Sequence, residues 1–294
     1  MSLGTLLTME ALYGLHPVEE AIRSGRRRFD HVVVARERED ARLEKLVDLC
    51  RQNGVRVLRE AREQLTLLAQ TPAHQGVVAM VHPQEFLSIE DLYAPLPSAT
   101  PGAARLLLAL DGVEDPQNLG ALLRVADGAG VDGVVLTERR SAPLSPVAVK
   151  ASAGASEHLR IARVVNLARA LEELKRQNLW IIGLDANPDE SRICDYDQFD
   201  LTGDCVLVLG REGAGLHELI RRSCDYLLRI PMAGGVSSLN VSAAGAVVLY
   251  EAFRQRRLAA RRVQQGAEDR VGPTAGGVGP AAGVKPKKQK GLGS

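Results

Sequence analysis

Residues 205–216 read CVLVLGREGAGL, an apolar strand pattern that runs directly into a loop with three glycines in six residues. A short apolar run bounded by glycine predicts a buried strand, and glycines at its end let the backbone approach a ligand closely. The loop does not end in Gly-Lys-Ser/Thr, so it is not the phosphate-binding loop of nucleotide hydrolases. Two interpretations stay open: a backbone-lined ligand site at Gly210, or an ordinary glycine-rich turn with Glu212 as a surface charge.

The sequence around this loop alternates strand and helix patterns from Arg105 to a last helix, predicted from about Val241 to Arg261. Several of the strands are apolar throughout, which favours a parallel sheet covered by helices on both faces. The predicted fold class is therefore α/β. Because ligands of such sheets bind at the carboxyl ends of the strands, the loops that follow strands are the candidate sites.

A second such loop follows the strand RLLLAL and runs from Asp111 to Arg124. We predict that Asn118 caps the helix that starts there and that Gly120 permits close approach of a ligand. Arg124 lies off the apolar stripe of that helix, where a solvated arginine would also lie. The loop lacks the G-x-G-x-x-G pattern, which disfavours a nicotinamide enzyme.

A third loop follows the strand DYLLRIP and runs from Ile230 into a helix of small residues. Ser238 or Asn240 could cap this helix, and a ligand contact is an equally good interpretation of both. Gly245 lowers the helix propensity of the run, and close packing against another backbone would explain its presence.

The composition divides the chain into four regions. Residues 1–82 predict a compact α/β module, and residues 83–104, which contain several prolines, predict a linker. Residues 105–262 carry the α/β pattern described above. Residues 263–294 are rich in Gly, Pro and Ala and close with lysines, which predicts a disordered basic tail.

Charge and cysteine content set further limits. The formal net charge is +1, so bulk charge does not indicate a nucleic-acid partner. Cys50, Cys194, Cys205 and Cys224 have no zinc-site spacing, so we expect buried free thiols and no metal. No apolar run reaches the roughly 18 residues of a membrane span, and the N-terminus lacks the pattern of a signal peptide. We expect a cytoplasmic protein with no membrane partner.

Taken together, the three loops resemble the signature motifs of the SpoU (TrmH) family of RNA 2′-O-methyltransferases. They read NLGALLR at 118–124, LVLGREGAGL at 207–216 and IPMAGGVSSLNVSAA at 230–244. YGLHPVEEAI at 13–22 and HQGVVA at 74–79 are similar to the RNA-binding domain of the bacterial branch that methylates guanosine in 23S rRNA. The resemblance implies transfer of a methyl group from S-adenosylmethionine to a ribose 2′-hydroxyl of RNA, with a guanosine of 23S rRNA as the expected target.

The resemblance also implies structural features that periodicity does not show. It implies a deep trefoil knot at the C-terminal end of the parallel-sheet domain, an L30e-like RNA-binding module and a homodimer whose active site is completed across the interface. S-adenosylmethionine would contact Gly210, Ile230 and Leu239. The polar positions of the catalytic motifs correspond to Asn118, Arg124, Glu212, Ser238 and Asn240.

The resemblance points to Arg124 as the residue that activates the attacking hydroxyl. A guanidinium stays protonated at neutral pH and has no acceptor to offer, so a second role stays open: binding the adjacent phosphate and stabilising negative charge on the 2′-oxygen. Glu212 would orient an arginine or bind the substrate. The arginines of the N-terminal module would contact the RNA backbone, although a mixed solvated surface fits their pattern equally well.

Two other functions fit the same motifs. One is a tRNA 2′-O-methyltransferase, since the loops do not specify the target nucleotide. The other is a non-catalytic RNA-binding or ribosome-assembly factor that retains the fold. The presence of Arg124, Glu212 and Asn240 disfavours the second.

Overall fold

The computed structural model of the chain describes residues 9–94, 104–185 and 193–270. Of the described residues, those up to Arg256 belong to one compact unit and residues 257–270 to another. The first unit contains two β-sheets. The first sheet and its helices, residues 9–82, are called the N-terminal module below, and the second sheet with its helices is called the catalytic domain.

The N-terminal module has four strands and three helices. The strands are β1 (Glu10–Tyr13), β2 (Phe29–Ala35), β3 (Val57–Glu60) and β4 (Val77–Val81), and the helices are α1 (Leu15–Ser24), α2 (Ala41–Gln52) and α3 (Arg62–Ala69). The spatial order is β1-β4-β2-β3, with β2 and β3 parallel and the other pairs antiparallel. Gly25 ends α1 with a positive φ of 64°, and Asp40 caps α2 by accepting from two backbone amides, so both helix ends have a local cause in the sequence.

The catalytic domain is built on seven strands, all paired in parallel, in the order β7-β6-β5-β10-β8-β11-β9. They are β5 (Leu106–Leu110), β6 (Gly133–Thr137), β7 (Ile161–Val164), β8 (Trp180–Leu184), β9 (Ile193–Asp195), β10 (Cys205–Leu209) and β11 (Tyr226–Arg229). The helices are α4 (Ile89–Tyr93), α5 (Pro116–Gly128), α6 (Pro146–Ala151), α7 (Leu167–Arg176), α8 (Glu218–Ser223) and α9 (Val241–Arg270). The predicted α/β fold with a parallel sheet is confirmed.

Apolar residues cover both faces of this sheet, as the apolar strands predicted. Along β5, Leu106, Leu108 and Leu110 belong to the cluster packed against α5 and α9, whereas Leu107 and Ala109 belong to the cluster packed against α7 and α8. Successive side chains of a strand point to opposite faces, so a strand buried on both sides must be apolar throughout.

The described part of the predicted linker is packed onto the sheet. Leu87 forms a parallel bridge with Ala162, and α4 follows, with Ser88 capping it by accepting from the backbone amide of Asp91. Leu92 of α4 is 1% exposed. The apolar residues of this segment are too few for a periodic signal, which is why the sequence predicted only a linker. Residues 95–103 of that prediction lie outside the described residues.

Two predictions about α5 were wrong. Asp115, not Asn118, caps the helix, because its side chain accepts from the amide of Gln117 while Asn118 lies inside the first turn. Gly120 does not face a ligand but α6: a Cβ atom there would lie 2.4 Å from the carbonyl oxygen of Ala148 and 2.4 Å from the Cβ of Ala151. The glycine is therefore required for close packing of two helices.

The C-terminal helix differs from its prediction in length and packing. It continues to Arg270, whereas we expected it to end near Arg261 and a disordered tail to start at residue 263. The remaining tail, residues 271–294, lies outside the described residues. Gly245 makes the expected close approach, but to side chains instead of a backbone, since its Cβ would lie 2.4 Å from Leu122 and 2.9 Å from Leu209.

Cysteines and long helices were also subjects of prediction. The four cysteines are thiols that are not joined in disulfides; Cys50, Cys205 and Cys224 are buried and Cys194 is half-buried. Burial raises the pKa of the Cys50 thiol to about 11.

In the ranges that the structure describes, no helix is both long and apolar enough to cross a bilayer. Those ranges also contain no cluster of three or more His, Cys, Asp or Glu side chains suited to a metal.

Candidate active site

A cavity of about 490 Å³ opens at the carboxyl ends of β8, β10 and β11. Its volume falls within the range of sites that enclose small organic ligands. Four segments line it: the end of β8, the loop after β10, helix α8, and the segment that runs from the end of β11 into the start of α9. The walls combine apolar side chains with charged ones and with much exposed backbone; the side chains include Leu184, Leu209, Ile230, Leu239, Asp185 and Arg221.

Gly210, Ile230 and Leu239, the three predicted cofactor positions, all line this cavity. Gly210 has no room for a side chain, because a Cβ atom there would lie 2.3 Å from the carbonyl carbon of Gly215. Residues 211–215 form a tight turn closed by two backbone hydrogen bonds between Arg211 and Gly215, at 2.9 and 3.0 Å. The glycines of the loop therefore bring its backbone against the end of the strand and leave peptide groups on the cavity wall.

Three predicted polar residues meet beside this turn. The amide nitrogen of Asn118 donates to Glu212 Oε2 at 3.0 Å, and the amide nitrogen of Asn240 donates to Glu212 Oε1 at 2.7 Å. Asn240 also donates to Asn118 Oδ1 at 3.0 Å. Residues from α5, the β10 loop and the start of α9 thus form one closed cluster, called the Asn-Glu-Asn cluster below.

Asn240 has a second task in this arrangement. Its Oδ1 atom accepts from the backbone amides of Ser242 and Ala243, at 2.9 and 3.4 Å, so it also caps α9. Capping and a place in the site, the two roles left open by the sequence, are compatible because the side-chain oxygen serves the helix and the nitrogen serves the cluster.

Ser238 and Arg124 complete the predicted set but lie outside the cluster. Ser238 is exposed and lines the cavity. Arg124 is exposed on α5, six residues after Asn118, which places it about 9 Å further along the helix. With the residues that the structure describes, Arg124 forms no hydrogen bond and no ion pair.

Sequence reasoning missed two side-chain pairs at the same ends of the strands. The buried Asp111, directly after β5, accepts from the backbone amide of His217 at 2.7 Å and pairs with its Nδ1 at 2.9 Å. Asp185, directly after β8, accepts from Arg221 Nε at 2.8 Å. Both aspartates immediately follow an apolar strand, which is the signal that could have identified them.

Arg211 was also missed, and its surroundings differ from those of the two pairs. Its side chain passes over Gly112, where a Cβ atom would lie 2.9 Å from Arg211 Cγ. The Nε atom of Arg211 is buried and lacks a hydrogen-bond partner among the described residues. Arg211 lines the cavity, so this donor is a candidate for an oxyanion of a ligand.

Comparison with protein families decides the class of this site. A family model described as the SpoU rRNA methylase family matches residues 105–250, and one described as RNA 2′-O ribose methyltransferase substrate binding matches residues 11–87. The chain belongs to the SpoU family. It is accordingly a methyltransferase that uses S-adenosylmethionine and acts on RNA, as its three loops predicted.

Individual SpoU proteins resemble the chain over most of its length. It is 43% identical over 248 residues to the 23S rRNA (guanosine-2′-O-)-methyltransferase RlmB of Pseudomonas syringae pv. tomato, covering 84% of this chain and 96% of that protein. It is 41% identical over 250 residues to RlmB of Escherichia coli K12, covering 84% of this chain and 99% of that one. The crystal structure of the SpoU methyltransferase AviRb from Streptomyces viridochromogenes, in complex with AdoMet, superimposes with a TM-score of 0.69 at 26% identity, over 84% of this chain and 90% of that chain.

Proposed function

We propose that this SpoU protein transfers the methyl group of S-adenosylmethionine to the ribose 2′-hydroxyl of a guanosine in 23S rRNA. The observation that carries the proposal is the cavity at Gly210, Ile230 and Leu239, which adjoins the Asn-Glu-Asn cluster at the carboxyl ends of parallel strands. The RlmB relatives support the choice of RNA, since the match covers 96% and 99% of their lengths.

The residues of the cavity fit S-adenosylmethionine. Gly210 and the turn after it offer a backbone surface that any side chain at 210 would fill, and Ile230 and Leu239 offer apolar walls. Asp185 and Arg221 bring a carboxylate and a guanidinium to a ligand that carries both positive and negative groups. When bound, the cofactor supplies a methyl group on a sulfonium, already activated for displacement.

Glu212 and Ser238 are the polar residues that shape the site for its substrate. Both carboxylate oxygens of Glu212 accept hydrogen bonds from asparagine amides, so this carboxylate fixes the cavity turn to the starts of α5 and α9. Ser238 stands at the cavity edge, where a hydroxyl can hydrogen-bond to a ribose or to the donor.

Arg124 and Arg211 supply the positive charge that the substrate needs. Arg124 is free of partners in the described part of the chain, so its guanidinium can bind a phosphate beside the target ribose and stabilise negative charge on the 2′-oxygen. Arg211 carries a buried donor at the cavity wall and is placed to hold a second phosphate oxygen. An RNA backbone therefore meets two guanidinium groups near the reacting ribose.

The finer architecture belongs to the same proposal. Residues 105–262 form a knotted methyltransferase domain, residues 1–82 an L30e-like RNA-binding domain, and residues 83–104 connect them. Support for the trefoil knot comes from residues 230–241, which line the same cavity as residues 184–185 and 209–216 before α9 begins. Of the predicted tail, residues 263–270 continue α9 and residues 271–294 lie outside the described residues.

The protein acts as a homodimer in the cytoplasm, where its rRNA substrate is made. Arg124 on α5 is exposed and makes no contact with the Asn-Glu-Asn cluster of its own chain, which fits a site completed across an interface. Tyr250 on α9 is 49% exposed and its hydroxyl lies beside Gly128 of α5, so these two helices adjoin at a face where a second copy would pack.

Methyl transfer from a labelled donor tests the proposal. Purified protein is incubated with labelled S-adenosylmethionine and, separately, with 23S rRNA, 16S rRNA and tRNA, and the labelled ribose is mapped. We expect a single labelled guanosine in 23S rRNA. Label in tRNA alone would favour a tRNA enzyme. Donor binding in calorimetry without transfer to any of the three RNAs would favour a non-catalytic assembly factor.

A further inference from the structure

Arg27 is a buried cation where the N-terminal module meets the catalytic domain. It lies between α1 and β2, and its side chain is 3% exposed. Its Nε and Nη2 atoms donate to the two carboxylate oxygens of Glu157, at 2.9 and 3.2 Å, and the Glu157 side chain is 1% exposed. Glu157 ends a short helical turn, Ala155–Glu157, that precedes β7. A two-pronged ion pair therefore joins the two parts of the molecule.

The remaining donors of Arg27 are satisfied as well. Nη1 donates to Glu10 Oε2 and to the carbonyl oxygen of His82, both at 3.1 Å, and Nη2 donates to Gln84 Oε1 at 3.3 Å. A guanidinium has five N–H donors, so each of them has an acceptor here. Burial opposes the charge, but the carboxylates of Glu157 and Glu10 outweigh it and raise the pKa of Arg27. This planar group is thereby held in one orientation.

Further contacts surround the pair. Arg26 donates to the carbonyl oxygens of His158 and Leu159, at 2.7 and 3.1 Å, and His158 Nε2 lies 2.7 Å from Glu20 Oε2. Gly154 has a φ of 89°, and a Cβ atom there would lie 2.7 Å from the Cβ of Glu20. The backbone at Gly154 thus lies as close to the Glu20 side chain of α1 as glycine permits, and the contact allows few alternative orientations.

The segment that carries Glu157 also contacts α5, the helix of the candidate active site. The turn Ala155–Glu157 packs against α5, which carries Asn118 and Arg124. Isolated buried ion pairs contribute little net stability, because desolvation of both charges offsets their attraction. A bidentate ion pair in which every donor is satisfied instead fixes the geometry between the two segments that carry it.

We infer that Arg27 and Glu157 are positioning residues that hold the N-terminal module at one fixed orientation to α5, so that an RNA bound to the module presents a single ribose at the site. The inference rests on the proposed function for its substrate. It predicts that the pair acts on the rate and accuracy of transfer, and that the affinities for donor and RNA do not depend on it.

The test uses the full chain and the double variant R27M/E157M. Replacing a buried ion pair by apolar side chains of similar volume is often neutral or stabilising, whereas either single substitution leaves a buried charge unpaired. We expect the double variant to bind S-adenosylmethionine and 23S rRNA as the parent does. Turnover should fall by about 100-fold, the size of effect that a small misplacement of substrate produces, and label should spread to neighbouring riboses. Cys50→Ala, in the core of the module and away from the contact, controls for lost module stability.

Parental turnover and a single parental target in the double variant would overturn the inference. Small-angle scattering gives a second readout that needs no RNA: we expect a larger radius of gyration for R27M/E157M than for the parent or C50A, and an unchanged radius contradicts the inference. If the double variant fails to fold, the single variants R27K and E157Q replace it in the same measurements. We expect label on several neighbouring riboses, and label on a single ribose would contradict the inference. If the parent protein does not methylate 23S rRNA, the proposed function is wrong. The scattering comparison would still decide whether the Arg27–Glu157 pair fixes the orientation of the module.

Discussion

At the scale of single residues, Glu212 connects three segments that are far apart in the sequence. Its two oxygens hold Asn118, 94 residues earlier, and Asn240, 28 residues later. Each asparagine sits at the start of a helix, so one carboxylate defines how two helices and the cavity turn meet. The side chain of Arg124 and the Nε atom of Arg211 have no hydrogen-bond partner in the described ranges, and the roles of the two residues can be tested separately.

Arg124→Ala should lower the turnover of RNA methylation by about 100-fold or more, the usual scale for groups that act on a developing charge or a proton. Donor affinity should stay the same, because Arg124 does not line the cavity. Single-turnover kinetics at saturating RNA measure the effect. Arg176→Ala, an exposed arginine at the end of α7, is the matched control. A decrease in turnover of less than tenfold would contradict a role for Arg124 in the methyl-transfer step.

Arg211→Ala should weaken RNA binding and reduce the slope of log affinity against log salt by about one, because one phosphate contact is lost. Arg211→Lys should keep part of the affinity, since it retains the charge without the planar fork. Binding is measured at several salt concentrations. A weaker donor affinity with unchanged RNA binding would show instead that Arg211 holds the cofactor.

The sequence predicted the members of the site better than their contacts. The glycines and asparagines after the strands made Gly210, Asn118 and Asn240 candidates, and the resemblance to the SpoU motifs assigned them to the site; the structure brings Gly210 to the cavity and both asparagines to Glu212. Asp111 was not predicted because its partner, His217, is 106 residues away in the sequence. Such pairing depends on which strands become neighbours in the sheet. A pattern read along the chain does not contain that information.

At the scale of elements, the contact between α5 and α6 depends on one glycine. Gly120→Ala would place a methyl group 2.4 Å from the Ala148 carbonyl oxygen, which is backbone and cannot turn aside. Overpacking of this kind costs about 1–3 kcal/mol, more than the roughly 1 kcal/mol that alanine gains in helix propensity. We therefore expect a lower Tm.

Gly128→Ala, at the end of the same helix, is the control for this substitution. Its added Cβ would meet only the Tyr250 hydroxyl, at 3.0 Å, and that side chain is half exposed and free to shift. Both variants add one methyl group to α5, and they differ in the neighbour that must move. Equal melting temperatures, measured by thermal unfolding, would contradict the packing argument.

A strong apolar period marks some elements in the sequence and is absent from others. α7 buries Leu167, Ala170, Leu171 and Leu174, the spacing that defines one helix face. α3 buries only Leu65, and β9 is three residues long at the edge of its sheet, so neither leaves a periodic signal. The order of strands in the sheet follows from packing of the whole domain and could not be predicted from any one segment.

At the scale of the whole molecule, the stability of the N-terminal module should depend on pH through His74. Burial, and then the charges of Arg62 and Lys150, lower the pKa of His74 below its ordinary value of 6.5. The folded protein therefore holds this ring neutral while the unfolded chain takes up a proton. Stability is complete above about pH 6.5 and decreases as the pH falls through the lowered pKa.

His74→Asn should make this decrease shallower. The asparagine oxygen can still accept from the Gly76 amide, as His74 Nδ1 does at 3.0 Å, but it does not titrate. Thermal unfolding between pH 5 and 8 measures the slope. His16→Asn, at an imidazole that is 70% exposed on α1, provides the comparison. Parallel curves for the parent and His74→Asn would exclude His74 as the source of acid sensitivity.

The position of β10 has a consequence for synthesis of the protein. This strand lies between β5 and β8, and the cavity beside it takes its walls from residues between 184 and 244. Under the proposed function, a growing polypeptide on the ribosome therefore has no complete donor pocket until the start of α9 has been translated and has left the exit tunnel. Unfinished copies of this enzyme cannot sequester the cell's methyl donor, nor modify RNA, while they are still being made.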